Sequence, residues 1–118
     1  MLLALSTHLG TPLHPRLLML PGGTRVEIEG MDEAGTTIVQ LVPNEGTYKP
    51  SYRNKVLADM FKLVWIRQSI PAVTRAVLVV TPLTAQALSG WVRVAAAELT
   101  IDVRVFDGET LAPLSSEA

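Results

Sequence analysis

The fold of this chain is decided by TRVEIEG (24–30), TTIVQLV (36–42) and SYRNKVLADMFKLVWIRQ (51–68). The first two segments are short and apolar, and in the first the apolar residues alternate with Glu27 and Glu29, which predicts two β-strands. Acidic residues and Gly35 form the turn between them. The third segment predicts a helix that begins near Pro50 or Ser51, because proline suits the first helical position. The centre of the chain is therefore predicted to run strand, strand, helix.

The segments on either side extend this unit. Periodicity and turn residues predict a helix at 2–9, strands at 17–20, 75–81 and 101–106, and a helix at 83–97. Pro12 and Pro15 are interpreted as ending the first helix, and the Pro-Gly-Gly sequence at 21–23 as the turn of a hairpin. The order strand, helix, strand in the second half implies a right-handed parallel crossover.

Together these elements predict a single α/β domain. Their order is α β β β α β α β, in which three consecutive strands form an antiparallel meander. We therefore predict a mixed sheet with an αβββαβ core plus a further helix and strand, and helices on both faces. This domain is expected to span residues 1–110, and the small and polar residues at 111–118 predict a flexible C-terminal tail.

Composition excludes several classes of protein. The sequence contains no cysteine, which excludes disulfide frameworks, thiolate metal sites and cysteine nucleophiles. The opening MLLALSTHLG has no basic region and only a short apolar run, so we expect a cytoplasmic protein without a signal peptide or a membrane span. Apolar residues make up 48% of the chain and the mean hydropathy is +0.32. These values are high for a small domain, so we expect a second copy of the chain or another protein partner to cover apolar surface.

Charge is distributed unevenly along the chain. Residues 1–48 contain two basic and five acidic residues, whereas residues 49–68 contain five basic residues and one acid. Within the predicted helix Lys55, Asp59 and Lys62 share one face, because successive residues are about 100° apart. A basic helix beside an acidic strand suits a site for a metal ion and a phosphate, since carboxylates hold the cation and lysines contact the phosphate. The alternative is a solvated ladder of ion pairs between these three side chains.

The order of elements and three sequence segments resemble the PD-(D/E)XK, or restriction-endonuclease-like, superfamily. The segments are VEIEG (26–30), IVQLV (38–42) and NKVLADMFKL (54–63). They place an acid late in the second strand and a polar residue two before the end of the third, and the resemblance covers residues 1–107. In such families an Asp or Glu of the second strand and the acid of an ExK pair on the third bind Mg²⁺, and the ExK lysine assists the attacking water.

The resemblance assigns these three roles to Glu29, Gln40 and Val42, and the last two depart from the pattern. Gln40 offers Mg²⁺ only a neutral carbonyl oxygen, and Val42 offers no polar atom. Some members of the superfamily relocate these side chains, and here Lys55 and Glu45 are the candidates. The candidate catalytic residues are therefore Glu29, Gln40 and Lys55, and the candidate ligands of a Mg²⁺ cofactor are Glu29, Gln40 and Glu45. The candidate nucleic-acid-binding residues are Lys49, Arg53, Lys55 and Lys62.

Three functions are compatible with the sequence. The favoured one is a degenerate nuclease-fold protein that binds nucleic acid or a protein partner without cleaving it, because two of the three catalytic positions are lost. The second is an active Mg²⁺-dependent DNA or RNA phosphodiesterase. The third is a structural or assembly protein whose likeness to nucleases extends to the fold alone. Trp65 and Trp91 are interpreted as core anchors rather than platforms for stacked bases.

Overall fold

The sheet is mixed and follows the chain from one edge to the other in a computed structural model that describes residues 1–114. In chain order the elements are α1 (Leu2–Leu9), β1 (Leu13–Met19), β2 (Arg25–Asp32), β3 (Thr37–Val42), α2 (Ser51–Ser69), β4 (Arg75–Val80), a 3-10 turn (Thr84–Ala87), α3 (Trp91–Glu98), β5 (Ile101–Phe106) and β6 (Leu111–Pro113). The strands β1, β2 and β3 are antiparallel neighbours, β3, β4 and β5 are parallel, and β6 returns antiparallel to β5. The predicted α/β class and mixed sheet are confirmed.

Apolar side chains pack against both faces of this sheet. On one face Val56 of α2 and Val92 of α3 belong to a buried cluster that includes Ile38 of β3. On the other face Leu5 of α1 is fully buried in a cluster with Val39. Neighbouring residues of a strand point to opposite faces, so β3 contributes to both clusters. Helices therefore lie on both faces of the sheet, as the sequence predicts.

The first strand is longer than predicted. The sequence pattern predicts residues 17–20, whereas β1 runs from Leu13 to Met19 and includes Pro15. Proline has no N–H to donate, but β1 is an edge strand, where a missing donor costs little. The register also shifts between His14 and Arg16, which marks an irregularity at the proline. The edge position and this shift explain why a residue interpreted as part of a loop lies inside a strand.

The helix predicted at 83–97 is two shorter elements. A 3-10 turn covers Thr84–Ala87, and α3 covers Trp91–Glu98. Between them Gly90 has φ 57° and ψ −136°, a backbone conformation that residues with side chains rarely adopt. The glycine therefore interrupts the helix, although the apolar pattern continues through it.

The segment predicted as a flexible tail begins with a strand. β6 pairs with Arg104–Phe106 of β5. Just beyond β6, the Leu114 N–H donates to the Val103 carbonyl at 3.1 Å. Residues 111–113 of the predicted tail therefore form an edge strand of the sheet, and residues 115–118 lie outside the described part of the chain.

Asp107 organises the turn that brings β6 back to β5. Its carboxylate accepts hydrogen bonds from the backbone N–H groups of Thr110 at 2.8 Å and Glu109 at 2.9 Å. These bonds stabilise the ionised form and hold the pKa of Asp107 below its ordinary value. An aspartate whose carboxylate bonds to the backbone N–H groups two and three residues later is a common turn signal. The sequence DGET (107–110) therefore indicates a turn, although the small and polar residues that follow suggest a tail.

The two tryptophans are not core anchors. Trp65 is 38% exposed and Trp91 is 64% exposed. Trp65 lies on the outer side of α2, and the ring of Trp91 lies 5.7 Å from the guanidinium carbon of Arg53. No helix within residues 1–114 is long and apolar enough to cross a membrane.

Candidate functional site

The strands β2 and β3 are joined by side chains where the backbone ladder between them stops. The ladder pairs Gly30 with Val39. One residue further, the Glu29 N–H donates to the side-chain Oε1 of Gln40 at 3.0 Å. The Leu41 N–H in turn donates to Glu29 Oε1 at 3.4 Å. We call this place, formed by Glu29, Gln40 and Leu41, the strand fork.

Gly30 allows α1 to pack close to the strand fork. A Cβ atom at this position would lie 2.6 Å from the Leu2 side chain and 3.1 Å from the Cβ of Val39. Both distances are shorter than an ordinary van der Waals contact, so a larger residue would require the Leu2 side chain to turn away and Val39 to shift slightly. Glycine at position 30 is therefore explained by packing against α1.

Gln40 and Asp59 connect the strand fork to α2. Gln40 is 2% exposed and Asp59 is 4% exposed. Gln40 Nε2 donates to Asp59 Oδ1 at 3.0 Å, and Lys55 Nζ donates to Asp59 Oδ2 at 2.9 Å. Both ends of the buried amide are thus bonded, and the buried carboxylate is paired with a cation, as buried polar groups require.

An open cleft of about 680 Å³ lies beside the strand fork. It is bordered by α1, β1, β2, β3 and α2. The charged residues that line it are Arg16, Glu27, Glu29, Lys55, Asp59 and Lys62. The acids Glu27 and Glu29 lie on β2, and the lysines lie on α2, where Lys55 neutralises Asp59. We call the α2 border the basic side of the cleft.

Lys62 is a cation in the cleft that no carboxylate of residues 1–114 pairs with. Lys55, by contrast, is held by Asp59. The Lys62 side chain is half-buried, and its ammonium group is a strong hydrogen-bond donor for an anion. Arg16, also in the cleft, contacts the Met31 sulfur at 3.6 Å through Nη1 and is otherwise exposed.

The structure brings the three candidate catalytic residues together. Glu29, Gln40 and Lys55 all line the cleft, although they belong to β2, β3 and α2. Lys62, predicted from the charge pattern, lines the same cleft.

The other predicted site residues lie elsewhere. Glu45 and Lys49 are exposed in the loop after β3 and do not line the cleft. Arg53 contacts the 3-10 turn and α3 region instead, where its Nη1 lies 3.4 Å from the Ser89 hydroxyl and its guanidinium lies over Trp91. The predicted nucleic-acid-binding set is therefore divided, and Lys55 and Lys62 are its members in the cleft.

The ion-pair ladder predicted on α2 is present for one of its pairs. Lys55 and Asp59 form an ion pair at 2.9 Å, whereas Asp59 and Lys62 form none within the described residues. The sequence pattern placed Asp59 on the right face of the helix but did not identify its contact with Gln40. That contact depends on how α2 packs across the sheet, which no local signal reports.

Three of the oxygen-bearing side chains considered for a Mg²⁺ ion are already hydrogen-bonded or lie outside the cleft. Magnesium prefers a near-octahedral shell of oxygen ligands that includes carboxylates. The Gln40 oxygen already accepts the Glu29 N–H, Glu45 lies outside the cleft, and Asp59 is bound by Gln40 and Lys55. Within residues 1–114, no group of three or more histidine, aspartate or glutamate residues is arranged to hold a metal ion.

The remaining ion pairs of residues 1–114 lie on β4 and β5. Arg75 Nη2 lies 2.6 Å from Asp102 Oδ2, and Arg104 Nε lies 2.8 Å from Asp102 Oδ1. Burial alone would raise the pKa of Asp102, but the hydrogen bonds and charges of Arg104 and Arg75 outweigh it and hold the pKa below its ordinary value. This cluster joins two adjacent strands and lies outside the cleft.

Comparisons with known proteins give no relative from which a role could be transferred. No family model, no curated protein and no solved structure matches this chain. The chemistry of the cleft therefore has to be inferred from its own residues.

Proposed function

We propose that this domain binds the phosphate backbone of a nucleic acid in the cleft beside the strand fork and does not cleave it. The observation that carries the proposal is the pairing of charges in the cleft. Asp59 is neutralised by Lys55, while Lys62 has no carboxylate partner within residues 1–114. An unneutralised ammonium group on the basic side of an open cleft attracts phosphate.

The resemblance to the PD-(D/E)XK superfamily supports the same cleft. That likeness assigns Glu29 and Gln40 to one site, and both line the cleft together with Lys55. The resemblance implies that residues at these positions bind Mg²⁺ and assist the attacking water in the active members of that superfamily. A domain that kept the groove and lost the cutting residues would still bind the backbone.

The side chains at the expected catalytic positions argue against cleavage. Gln40 is buried and uses both ends of its amide in hydrogen bonds. Val42 is fully buried in the core on the α2 face of the sheet. Lys55, the candidate replacement for the missing lysine, is held by Asp59. These positions supply neither a second free carboxylate for a metal ion nor a free base beside one.

Fluorescence anisotropy with a labelled DNA of about 20 nucleotides tests the proposal, with salt varied from about 50 to about 200 mM. We expect wild-type protein to bind with a salt-dependent affinity. Lys62→Gln should weaken binding and lower the slope of log affinity against log salt by about one unit, because one phosphate contact is lost.

Lys49→Gln is the matched control, since it removes the same charge from an exposed loop outside the cleft. It should leave the affinity and the slope close to the wild-type values. Equal effects of the two substitutions, or no binding by the wild type, would contradict a phosphate site in the cleft. In a parallel assay with Mn²⁺ we expect no cleavage products, and products that disappear in Glu29→Gln would instead establish an active phosphodiesterase.

A further inference from the structure

Two aromatic side chains lie on α2 beside the basic side of the cleft. Phe61 is 77% exposed and Trp65 is 38% exposed. Because successive helical residues are about 100° apart, the two rings are about 40° apart around the helix and Lys62 follows about 60° beyond Trp65. We call this pair, Phe61 and Trp65, the aromatic ridge. Neither ring lines the cleft, but Lys62, which does, is the next residue around the helix from Trp65 on this side.

We infer that the nucleic acid bound by this domain is single-stranded, with its bases stacked on the aromatic ridge and its phosphates against Lys62. This inference rests on the proposed function. Proteins that bind single strands combine a basic groove that follows the backbone with aromatic rings on which bases stack. In a duplex the faces of the bases are already covered by their neighbours, so a ridge of exposed rings offers a duplex little.

Charge complementarity favours a nucleic acid over other occupants. Of the four basic residues of α2, Lys55 is paired with Asp59, Arg53 lies over Trp91 and Arg67 donates to backbone carbonyls of residues 99 and 100. Lys62 is therefore the basic residue of α2 that supplies free positive charge beside the ridge, within residues 1–114. The ridge is therefore next to positive charge that a phosphate backbone complements.

A protein partner or a second copy of the chain fits the ridge less well. Two aromatic side chains offer at most about 500 Å² of surface, even when fully exposed. A stable protein interface buries about 800 Å² on each partner. Exposed Asn54 and Gln68 on the same side of α2 are polar. The apolar area is thus small and lies among polar and basic groups, as a base-stacking surface does.

Fluorescence and anisotropy with an oligothymidine of about 15 nucleotides test the inference. In a Trp91→Phe protein, Trp65 is the remaining tryptophan of the chain, and we expect its fluorescence to be quenched when oligothymidine is added. By anisotropy, Phe61→Ala and Trp65→Ala should each bind oligothymidine about tenfold more weakly than wild type. Their affinity for a duplex of the same length should change much less.

Trp91→Ala is the matched control, because Trp91 is also an exposed aromatic residue but lies on α3 against Arg53. It should alter oligothymidine binding less than about twofold. Wild-type affinity in both ridge variants, with binding still weakened in Lys62→Gln, would overturn the stacking inference and leave the proposed function in place. Absence of binding in wild type would overturn both.

Sedimentation of the free protein tests whether a second copy of the chain, rather than a nucleic acid, covers the aromatic ridge. We expect the wild type to sediment as the same species as Phe61→Ala. A wild-type dimer that dissociates in Phe61→Ala would show that a second copy covers the ridge, and would overturn the inference.

Discussion

The two ends of the β2–β3 pair satisfy their polar groups in different ways. At one end Asp32 closes the turn between the strands. Its carboxylate accepts hydrogen bonds from the Thr36 N–H at 2.8 Å, the Thr36 hydroxyl at 2.7 Å and the Thr37 N–H at 3.0 Å. At the other end Gln40 bonds to the Glu29 backbone and to Asp59 of α2.

The two ends differ in the sequence separation between the residues that form their hydrogen bonds. The bonds of Asp32 join residues four or five apart in sequence, whereas Gln40 and Asp59 are nineteen apart. At the turn, which we call the closed end, Asp32 finds its hydrogen-bond partners in Thr36 and Thr37 of the same segment. The strand fork depends on α2, and it opens onto a cleft where Lys62 remains available. The hydrogen bonds of Asp32 thus complete a turn within one short segment, whereas the hydrogen bond between Gln40 and Asp59 joins two elements at the border of the cleft.

Removing the Asp59 carboxylate is expected to have the largest effect on stability, because it removes the contact between the strand fork and α2. Asp59→Ala leaves the buried Gln40 Nε2 without its acceptor and Lys55 without its partner. We expect a loss of about 2 to 3 kcal/mol in the free energy of unfolding, mainly because the buried Gln40 donor is left without an acceptor. Urea unfolding at pH 7 measures the loss.

Asp59→Asn is the matched control for that experiment. An asparagine keeps an oxygen that accepts from Gln40 and loses the charge opposite Lys55. The Lys55 side chain is 46% exposed and turns to water at little cost, so we expect a loss of about 1 kcal/mol. An equal loss in both variants would contradict the conclusion that the bond to Gln40 is the larger contribution.

Gln40→Glu tests why an amide lies at the strand fork. The substitution replaces Nε2, which donates to Asp59 at 3.0 Å, with an oxygen, so two carboxylates face each other. We expect a loss of about 2 kcal/mol in the free energy of unfolding at pH 7. The facing carboxylates share a proton at low pH, which raises their pKa, so the deficit relative to wild type should shrink as the pH falls.

Gln40→Met separates the charge effect from the loss of hydrogen bonds. Methionine has a similar length and no titratable group, so its deficit should change little with pH. A deficit in Gln40→Glu that is equally independent of pH would contradict the facing pair. Both proteins are compared with wild type by urea unfolding at matched pH values.

Much of the fold follows from local signals in the sequence. Strand Ile101–Phe106 has the predicted bounds, because its apolar residues alternate with Asp102 and Arg104. Strand Thr37–Val42 falls within the predicted segment 36–42, a short apolar run that Pro43 ends. The predictions fail where one residue overrides a pattern. Gly90 breaks an apolar period through its backbone conformation, and Pro15 is tolerated in β1 because the strand lies at an edge.

The candidate site was less predictable, for a physical reason. Lys55 and Asp59 are one helical turn apart, so their ion pair could be predicted from spacing. The contact between Gln40 and Asp59 and the exposure of Trp65 depend on the angle and rotation of α2 on the sheet. Those quantities are set by packing over the whole face, and a periodic pattern that covers most of the helix does not fix them.

Asp32 gives the smallest expected effect and tests the closed end. Burial raises the pKa of Asp32, but hydrogen bonds from the Thr37 N–H and from the hydroxyl and N–H of Thr36 outweigh it and hold the pKa below its ordinary value of 3.8. A carboxyl group whose pKa is lowered by folding stabilises the protein above that ordinary value. This stability is lost as the pH falls through the lowered pKa.

Asp32→Asn should therefore cost about 1 kcal/mol in the free energy of unfolding at pH 7, and the difference from wild type should shrink as the pH falls below 3.8. Asp102 and Asp107 titrate in the same acidic range but are present in both proteins, so they cancel in the difference. A difference that is constant with pH would contradict this origin. Because the bonds of Asp32 are local and lie away from the cleft, the variant should bind oligothymidine as wild type does.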